Sequence, residues 1–395
     1  MATRTTPAMS CPGYILLLAA AAALLAVAAA AGDPATKIGI CHGHVGSNLP
    51  APEAAAALLK QNGITKARLF LPDPAVLPAF AAAGIDLTVG VPNENLTYLS
   101  SSGPDGALQW LRASGLATNP VASRLRSLVV GNEVLYNNQF YAPHLVPAMR
   151  NLHAALAALG MDGAVRVSSA HASSVLATVS TASVAEYFPT TPTRKFRRDD
   201  THVSDNFPRD ALTSYPPSAG AFDGSVLEVL RPMLRFLADT GAPFMLNAYP
   251  FISHASDPAN VSLAYALSSS SSGAAAATVV QDGVLAYTGL FDATVDAAAA
   301  ALEREGFGGV AVAVTETGWP TAGHPAATPE NAAVYNGGVA ERAARGAGTP
   351  RRPGTPVEVF LFDLYDEDGK PGAEIERHFG IFRADGTKAY DISFA

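Results

Sequence analysis

The feature that most constrains this chain is an alternation repeated along most of its 395 residues. Short β-branched or aromatic runs end in Gly, Asn, Pro or an acid, and Ala/Leu-rich stretches separate them. The runs lie at 37–43, 66–71, 87–93, 127–133, 165–171, 244–250, 312–320 and 357–367. Helical stretches are predicted at 51–62, 74–83, 105–114, 142–159, 225–240, 291–306 and 329–345. Pro52-Glu53 and Thr328-Pro329-Glu330 supply helix-start signals. Eight strands alternating with helices imply parallel pairing and a single α/β domain, a closed (β/α)8 TIM barrel. An open doubly wound sheet is the competing topology, but no G-x-G-x-x-G follows the first run.

Two of the runs end in the same unusual way. "VAVTETGWP" (312–320) closes on Glu316, and "LVVGNEVL" (128–135) closes on Asn132-Glu133. A carboxylate at the mouth of an apolar strand is costly unless it is paired or solvated. In a barrel, strand ends gather around one mouth, which is where active sites form. The other endings are polar or aromatic too: His42, Asn93, His171, Asn247, Tyr249, Trp319 and Glu367. Glu133 on the fourth strand and Glu316 on the seventh would face one another there. Paired carboxylates across a cleft suit glycoside cleavage, one protonating the leaving oxygen while the other attacks the sugar carbon. A metal is the competing use, but no His/Asp cluster joins the pair, and no metal or other cofactor is expected.

Residues 14–31, "YILLLAAAAALLAVAAAA", follow a short segment with one arginine and end in small residues. They read as a secretory signal peptide spanning 1–31, leaving 32–395 as the catalytic domain. A retained anchor is the alternative; no stable membrane anchor is expected. Removing the signal leaves 25 basic against 34 acidic residues, a charge pattern that disfavours nucleic acid as a partner. Cys41 is then the sole cysteine, so no intrachain disulfide forms. Secretion would make Asn95-Leu96-Thr97 and Asn260-Val261-Ser262 candidate glycosylation sites.

"VGNEVL" (130–135), "PFMLNAYPF" (243–251), "VTETGWP" (314–320) and "PENAAVYN" (329–336) together carry a family resemblance. So, more weakly, do "VGVPNENL" (89–96), "SYPPSAGAF" (214–222) and "DGTKAYDI" (385–392). Over roughly 37–393 the chain resembles the plant glucan endo-1,3-β-glucosidases of glycoside hydrolase family 17. The resemblance implies a secreted, monomeric endo-hydrolase of internal β-1,3 bonds in β-glucan, acting with retention. Its destination would be extracellular, the cell wall or the vacuole. Glu133 matches the proton donor and Glu316 the nucleophile. Asn132 would bond the substrate 2-hydroxyl, and Tyr249 would orient the nucleophile. Asn93, Trp319, Glu367 and Lys370, the last two in "YDEDGKPG" (365–372), complete the implied substrate contacts. A mixed-linkage β-1,3/1,4-glucan hydrolase and a catalytically weak glucan-binding protein on the same fold are the competing readings.

The chain departs from the family pattern in three places. Cys41-His42-Gly43-His44 stands where the family usually reads Asn-Tyr-Gly-Arg, so His42 takes the place of a substrate-contacting tyrosine. Strand alternation puts residues 42 and 44 on one face, with Cys41 on the other as a packing thiol. Likewise, Phe70-Leu71 replaces a more usual Tyr-Asp. A further stretch at about 177–213, holding "RKFRR" (194–198), reads as a solvated, disordered insertion and not as a polyanion site.

Overall fold

A computed structural model describes residues 38–137, 139–177, 215–268 and 280–394. The N-terminal apolar run, the insertion expected at about 177–213 (Ala177 apart) and most of the Ser-rich 268–273 lie outside the described residues.

Eight strands form a closed barrel: β1 (Ile38–His42), β2 (Lys66–Leu69), β3 (Asp86–Val91), β4 (Leu125–Asn132), β5 (Arg166–Ala172), β6 (Phe244–Asn247), β7 (Val312–Thr317) and β8 (Val359–Leu361). Each pairs in parallel with its neighbours in chain order, and β8 closes on β1. Among the helices of the described residues, those at the predicted places cover the outside: α1 (Pro52–Gln61), α2 (Val76–Ala82), α3 (Gly103–Ala113), α4 (Ala142–Ala158), α5 (Leu227–Thr240), α6 (Leu290–Arg304) and α7 (Pro329–Ala344). Each overlaps its predicted segment to within three residues at either end. The predicted start of α7 holds, with the Thr328 hydroxyl capping Asn331 N–H and Pro329 in the first turn.

The strands read as continuous apolar runs because both of their faces are buried. Outward residues such as Ile38, Ile40, Val89 and Leu128 join the helices in one core, while Val129, Ala170 and Met245 pack inside the barrel. Gly39 is required inside: a Cβ there would sit 2.3 Å from the Phe360 ring of β8.

Two features were not anticipated. A short antiparallel hairpin, Val280–Asp282 with Leu285–Tyr287, turns at Gly283-Val284 outside the barrel. The last strand is also much shorter than the run 357–367, since the chain leaves the ladder after Leu361. The following segment brings Asp363, Glu367 and Lys370 over the barrel mouth beside β1. Among the described residues, no helix is long and apolar enough to cross a membrane.

Candidate active site

Both glutamate-bearing strands break register at the mouth. On β7, Leu246 pairs with Val314 but Asn247 pairs with Glu316, so Thr315 is an extra residue. The bulge lets the consecutive side chains of Thr315 and Glu316 both reach Asn247, where a regular strand would send them to opposite faces. On β4, Val129 pairs with Ser168 and Asn132 with Ala170, again with one residue in excess. There Gly131 adopts φ 69°, and a Cβ on it would press within 2.6 Å of Val134. Glu133 follows at φ 51°, the one non-glycine residue with positive φ among those described. Such a backbone costs roughly 1–3 kcal/mol and marks a place where side-chain direction matters more than local comfort.

The two carboxylates meet at one amide. Asn247 Nδ2, from the end of β6, donates to Glu133 Oε1 and Glu316 Oε1, each at 2.9 Å. The nearest oxygens of the pair are therefore closer than twice that distance. Arg68, from β2, lies beneath them with 1 % exposure. Its guanidinium pairs with Glu316 Oε1 at 2.7 Å, bonds the Thr315 carbonyl at 2.8 Å and donates to Asn132 Oδ1 at 2.8 Å. A buried charge is tolerated when it is paired and hydrogen-bonded in this way. Tyr249 donates its hydroxyl to Glu316 Oε2 at 2.8 Å. Burial, then the neighbouring Glu316, push the phenol well above its usual range, so it remains a donor.

Around this centre opens a cleft of about 390 Å³. Phe70, Phe362 and Phe379 make an aromatic wall, and Tyr136 and Ile252 lie on its rim. Glu367 is 5 % exposed and accepts Val45 N–H at 2.9 Å. Lys370 stands 3.8 Å from Glu367 and 3.3 Å from Glu376, with its ammonium 4.2 Å from the Phe362 ring centre. Burial would lower the Lys370 pKa, but Glu376, Glu367, Asp363 and Glu316 outweigh it and raise it, so the lysine stays cationic. Asp363 accepts Gly43 N–H and Leu364 N–H, while burial, then Glu367, raise its pKa well above the carboxylate range.

Of the residues singled out from sequence, Asn132, Glu133, Tyr249, Glu316, Glu367 and Lys370 line this cleft together. Three do not. His42 points the other way: it is 7 % exposed, stacks on Phe80 of α2 at 5.3 Å and belongs to the helix-facing layer. Burial lowers its pKa to about 4, against the pull of Glu367 and Asp73, so it is a neutral packing residue. Cys41 is the inward residue, buried among Phe360, Phe362 and Phe379, and His44 is the histidine on the cleft. Trp319 is fully buried, bonds the Ala326 carbonyl at 2.9 Å and packs on Phe251 and Tyr335. It is a core residue, not a substrate contact. Asn93 braces the site from behind, donating to the Asn132 carbonyl at 3.1 Å and accepting Asn132 N–H at 2.8 Å.

Arg68 is the residue sequence reasoning missed. In "KARLFL" (66–71) an arginine reads as a surface charge, and the one available signal was its even spacing from Lys66 on a strand buried on both faces. Asn247 was placed at the mouth but given no part in the chemistry. Among the described residues, no group of three or more His, Cys, Asp or Glu side chains is arranged to hold a metal ion.

Comparisons with known proteins show the family. The family model of the glycosyl hydrolases family 17 matches residues 38–195 and 198–394. The acidic isoform of glucan endo-1,3-β-glucosidase from Zea mays is 38% identical over 359 residues, covering 91% of each chain. A glucan endo-1,3-β-glucosidase from Vitis vinifera is 35% identical, covering 91% of this chain and 92% of its own. Among solved structures, a β-1,3-glucanase and allergen of Cryptomeria japonica pollen superposes with a TM-score of 0.77 at 36% identity, over 91% of this chain and 99% of that one.

Proposed function

The chain belongs to the glycosyl hydrolases family 17, and from that premise we propose that it cleaves internal β-1,3-glucosidic bonds of β-glucan by a retaining double displacement. The observation that carries the mechanism is the shared amide. Its two N–H bonds diverge by about 120°, which sets the accepting oxygens ~5 Å apart. That suits the retaining class, with carboxyl groups about 5–5.5 Å apart, and not the inverting class at about 6.5–9.5 Å.

The roles follow from the surroundings. Glu316, in contact with the Arg68 guanidinium and the Tyr249 hydroxyl, is the nucleophile. Glu133 is the proton donor. In the first step an oxygen of Glu316 bonds the anomeric carbon as the carbon–oxygen bond to the leaving sugar breaks, and the Glu133 proton passes to that oxygen. In the second, a water oxygen takes the anomeric carbon, its proton returns to Glu133, and Glu316 departs as the carboxylate. Asn132 uses Oδ1 to accept from Arg68 at 2.8 Å, with Asn247 Nδ2 farther off at 3.3 Å. Its amide hydrogens are thereby aimed at the substrate 2-hydroxyl. Lys370, Glu367 and the phenylalanine wall would hold the flanking sugars.

Hydrolysis of β-1,3-glucan, mixed-linkage β-1,3/1,4-glucan and β-1,4-glucan by the purified protein tests the substrate. Short β-1,3 oligosaccharides released from internal positions are expected. Cleavage of the mixed-linkage polymer alone would move the assignment to that substrate. Binding to glucan without new reducing ends would establish a binding protein instead. We also propose that the protein is secreted by way of its N-terminal apolar run, a reading that rests on sequence alone. N-terminal sequencing of the exported protein, with a start near Gly32 expected, checks it.

A further inference from the structure

Resting on that assignment of Glu133 and Glu316, we propose that Asn247 is a positioning residue that ties the two carboxylates into one unit. It donates one amide hydrogen to each, confining the transferable proton of Glu133 to Oε2 and the attack of Glu316 to Oε2.

The orientation of the amide is fixed by its other side. Asn247 Oδ1 accepts from the Thr315 hydroxyl at 3.0 Å and faces Arg68 Nη1 at 3.3 Å. A guanidinium has no acceptor, so the oxygen must lie toward it and the NH2 group toward the glutamates. Each glutamate then has one oxygen committed to an N–H donor at 2.9 Å. On Glu133, an oxygen that receives an N–H does not also turn an O–H toward it, since two hydrogens would meet head to head. The acid proton is held on Oε2. On Glu316, Oε1 is held twice, by Asn247 and by the Arg68 ion pair, whereas Oε2 accepts the neutral Tyr249 hydroxyl. The doubly held oxygen becomes the carbonyl of the glycosyl ester, and Oε2 forms the bond to the anomeric carbon.

Asn247 itself is 2 % exposed and fixed at the end of a barrel strand whose register is set by the bulge in β7. One rigid donor group thus ties side chains from two different strands to a third. The charged and titratable groups around the pair are Arg68 from β2, Cys41 from β1, His44 beyond β1, Tyr136 beyond β4, Tyr249 beyond β6, and Asp363, Glu367, Lys370 and Glu376 beyond β8.

Asn247→Asp separates positioning from packing. It keeps Oδ1 for Thr315 and Arg68, has the same shape, and replaces the shared donor with an oxygen facing two carboxylates. A like charge at that spot raises carboxylate pKa values. Both limbs of the pH–rate bell on a laminarin-type β-1,3-glucan are expected to move up by about one pH unit. At the wild-type optimum, kcat should fall by about 10²-fold with KM within about threefold. Unmoved limbs in a variant that melts normally would overturn the proposal, whatever its kcat. If Asn247→Asp does not fold, Asn247→Ser is read instead. Its single hydroxyl serves one carboxylate at most, so kcat should again fall with KM unchanged, and wild-type kcat would overturn the proposal. Glu133→Gln and Glu316→Gln run alongside. Wild-type turnover in either would sink the carboxylate assignment itself, whereas loss in both with an unmoved Asn247→Asp profile sinks the coupling alone.

Discussion

Replacing His42 with phenylalanine should change how the protein responds to acid without changing how it handles glucan. His42 is held neutral by burial, with its pKa lowered from 6.5 to about 4. In the unfolded chain the same imidazole takes a proton at its ordinary value. As pH falls from 7, the unfolded state binds that proton first, so stability is lost between about pH 6.5 and pH 4 and is flat above and below. At 1.36 kcal/mol per unit, the full loss is about 3 kcal/mol at pH 4. With an unfolding entropy of about 2.1 cal/mol/K per residue, that is about 4 °C of melting temperature for this chain. A phenyl ring keeps the stacking on Phe80 and the edge contact with Tyr365 and forfeits no bond at Nδ1, which has no hydrogen-bond partner among the described residues. Thermal unfolding of both proteins from pH 7.5 to pH 4 is the assay. Their difference cancels the carboxylate titrations common to both. The phenylalanine variant should match the parent at pH 7.5 and gain about 4 °C on it by pH 4. Parallel curves would refute the burial argument, and a shifted pH–rate curve on glucan would return His42 to the substrate.

Three further outcomes are expected. Trp319→Ala should destabilise the barrel by about 3–5 kcal/mol in denaturant titration, while glucan affinity of the folded fraction stays within twofold. Arg68→Lys keeps the charge but not the planar fork that spans Glu316, Thr315 and Asn132; kcat should drop at least tenfold with glucan affinity retained, and unchanged kcat would remove Arg68 from the site. Deleting residues 178–212 should leave the melting temperature within a few degrees. The flanks are already joined by Ala177 N–H to the Ala221 carbonyl and Asp223 N–H to the Val175 carbonyl, both at 2.8 Å, so a collapse of the melt would contradict this.

The barrel was legible because its strands and helices differ in period and because the polar endings fall at one end of each strand. The direction of individual side chains was much less so. On a strand buried on both faces, apolarity says nothing about which face is which, and His42 and Cys41 were consequently assigned to the wrong sides. The bulges at Thr315 and Gly131 add one residue each without a compositional mark beyond the glycine itself. They decide where Glu316 and Asn132 point, and no alternation rule reaches past them. Trp319 shows a third limit: a side chain can sit beside the nucleophile in sequence and still turn into the core, because Phe251 and Tyr335 give it a closer fit.

Two carboxylates held close enough to share one amide imply retention, and the stereochemistry of the first-formed product reads that separation directly. Proton NMR of the anomeric signals, recorded within the first minutes of β-1,3-glucan cleavage and before mutarotation, should show the β-anomer appearing first. First appearance of the α-anomer would mean inversion, with a water between carboxylates standing farther apart than Asn247 allows, and the double-displacement mechanism would be wrong.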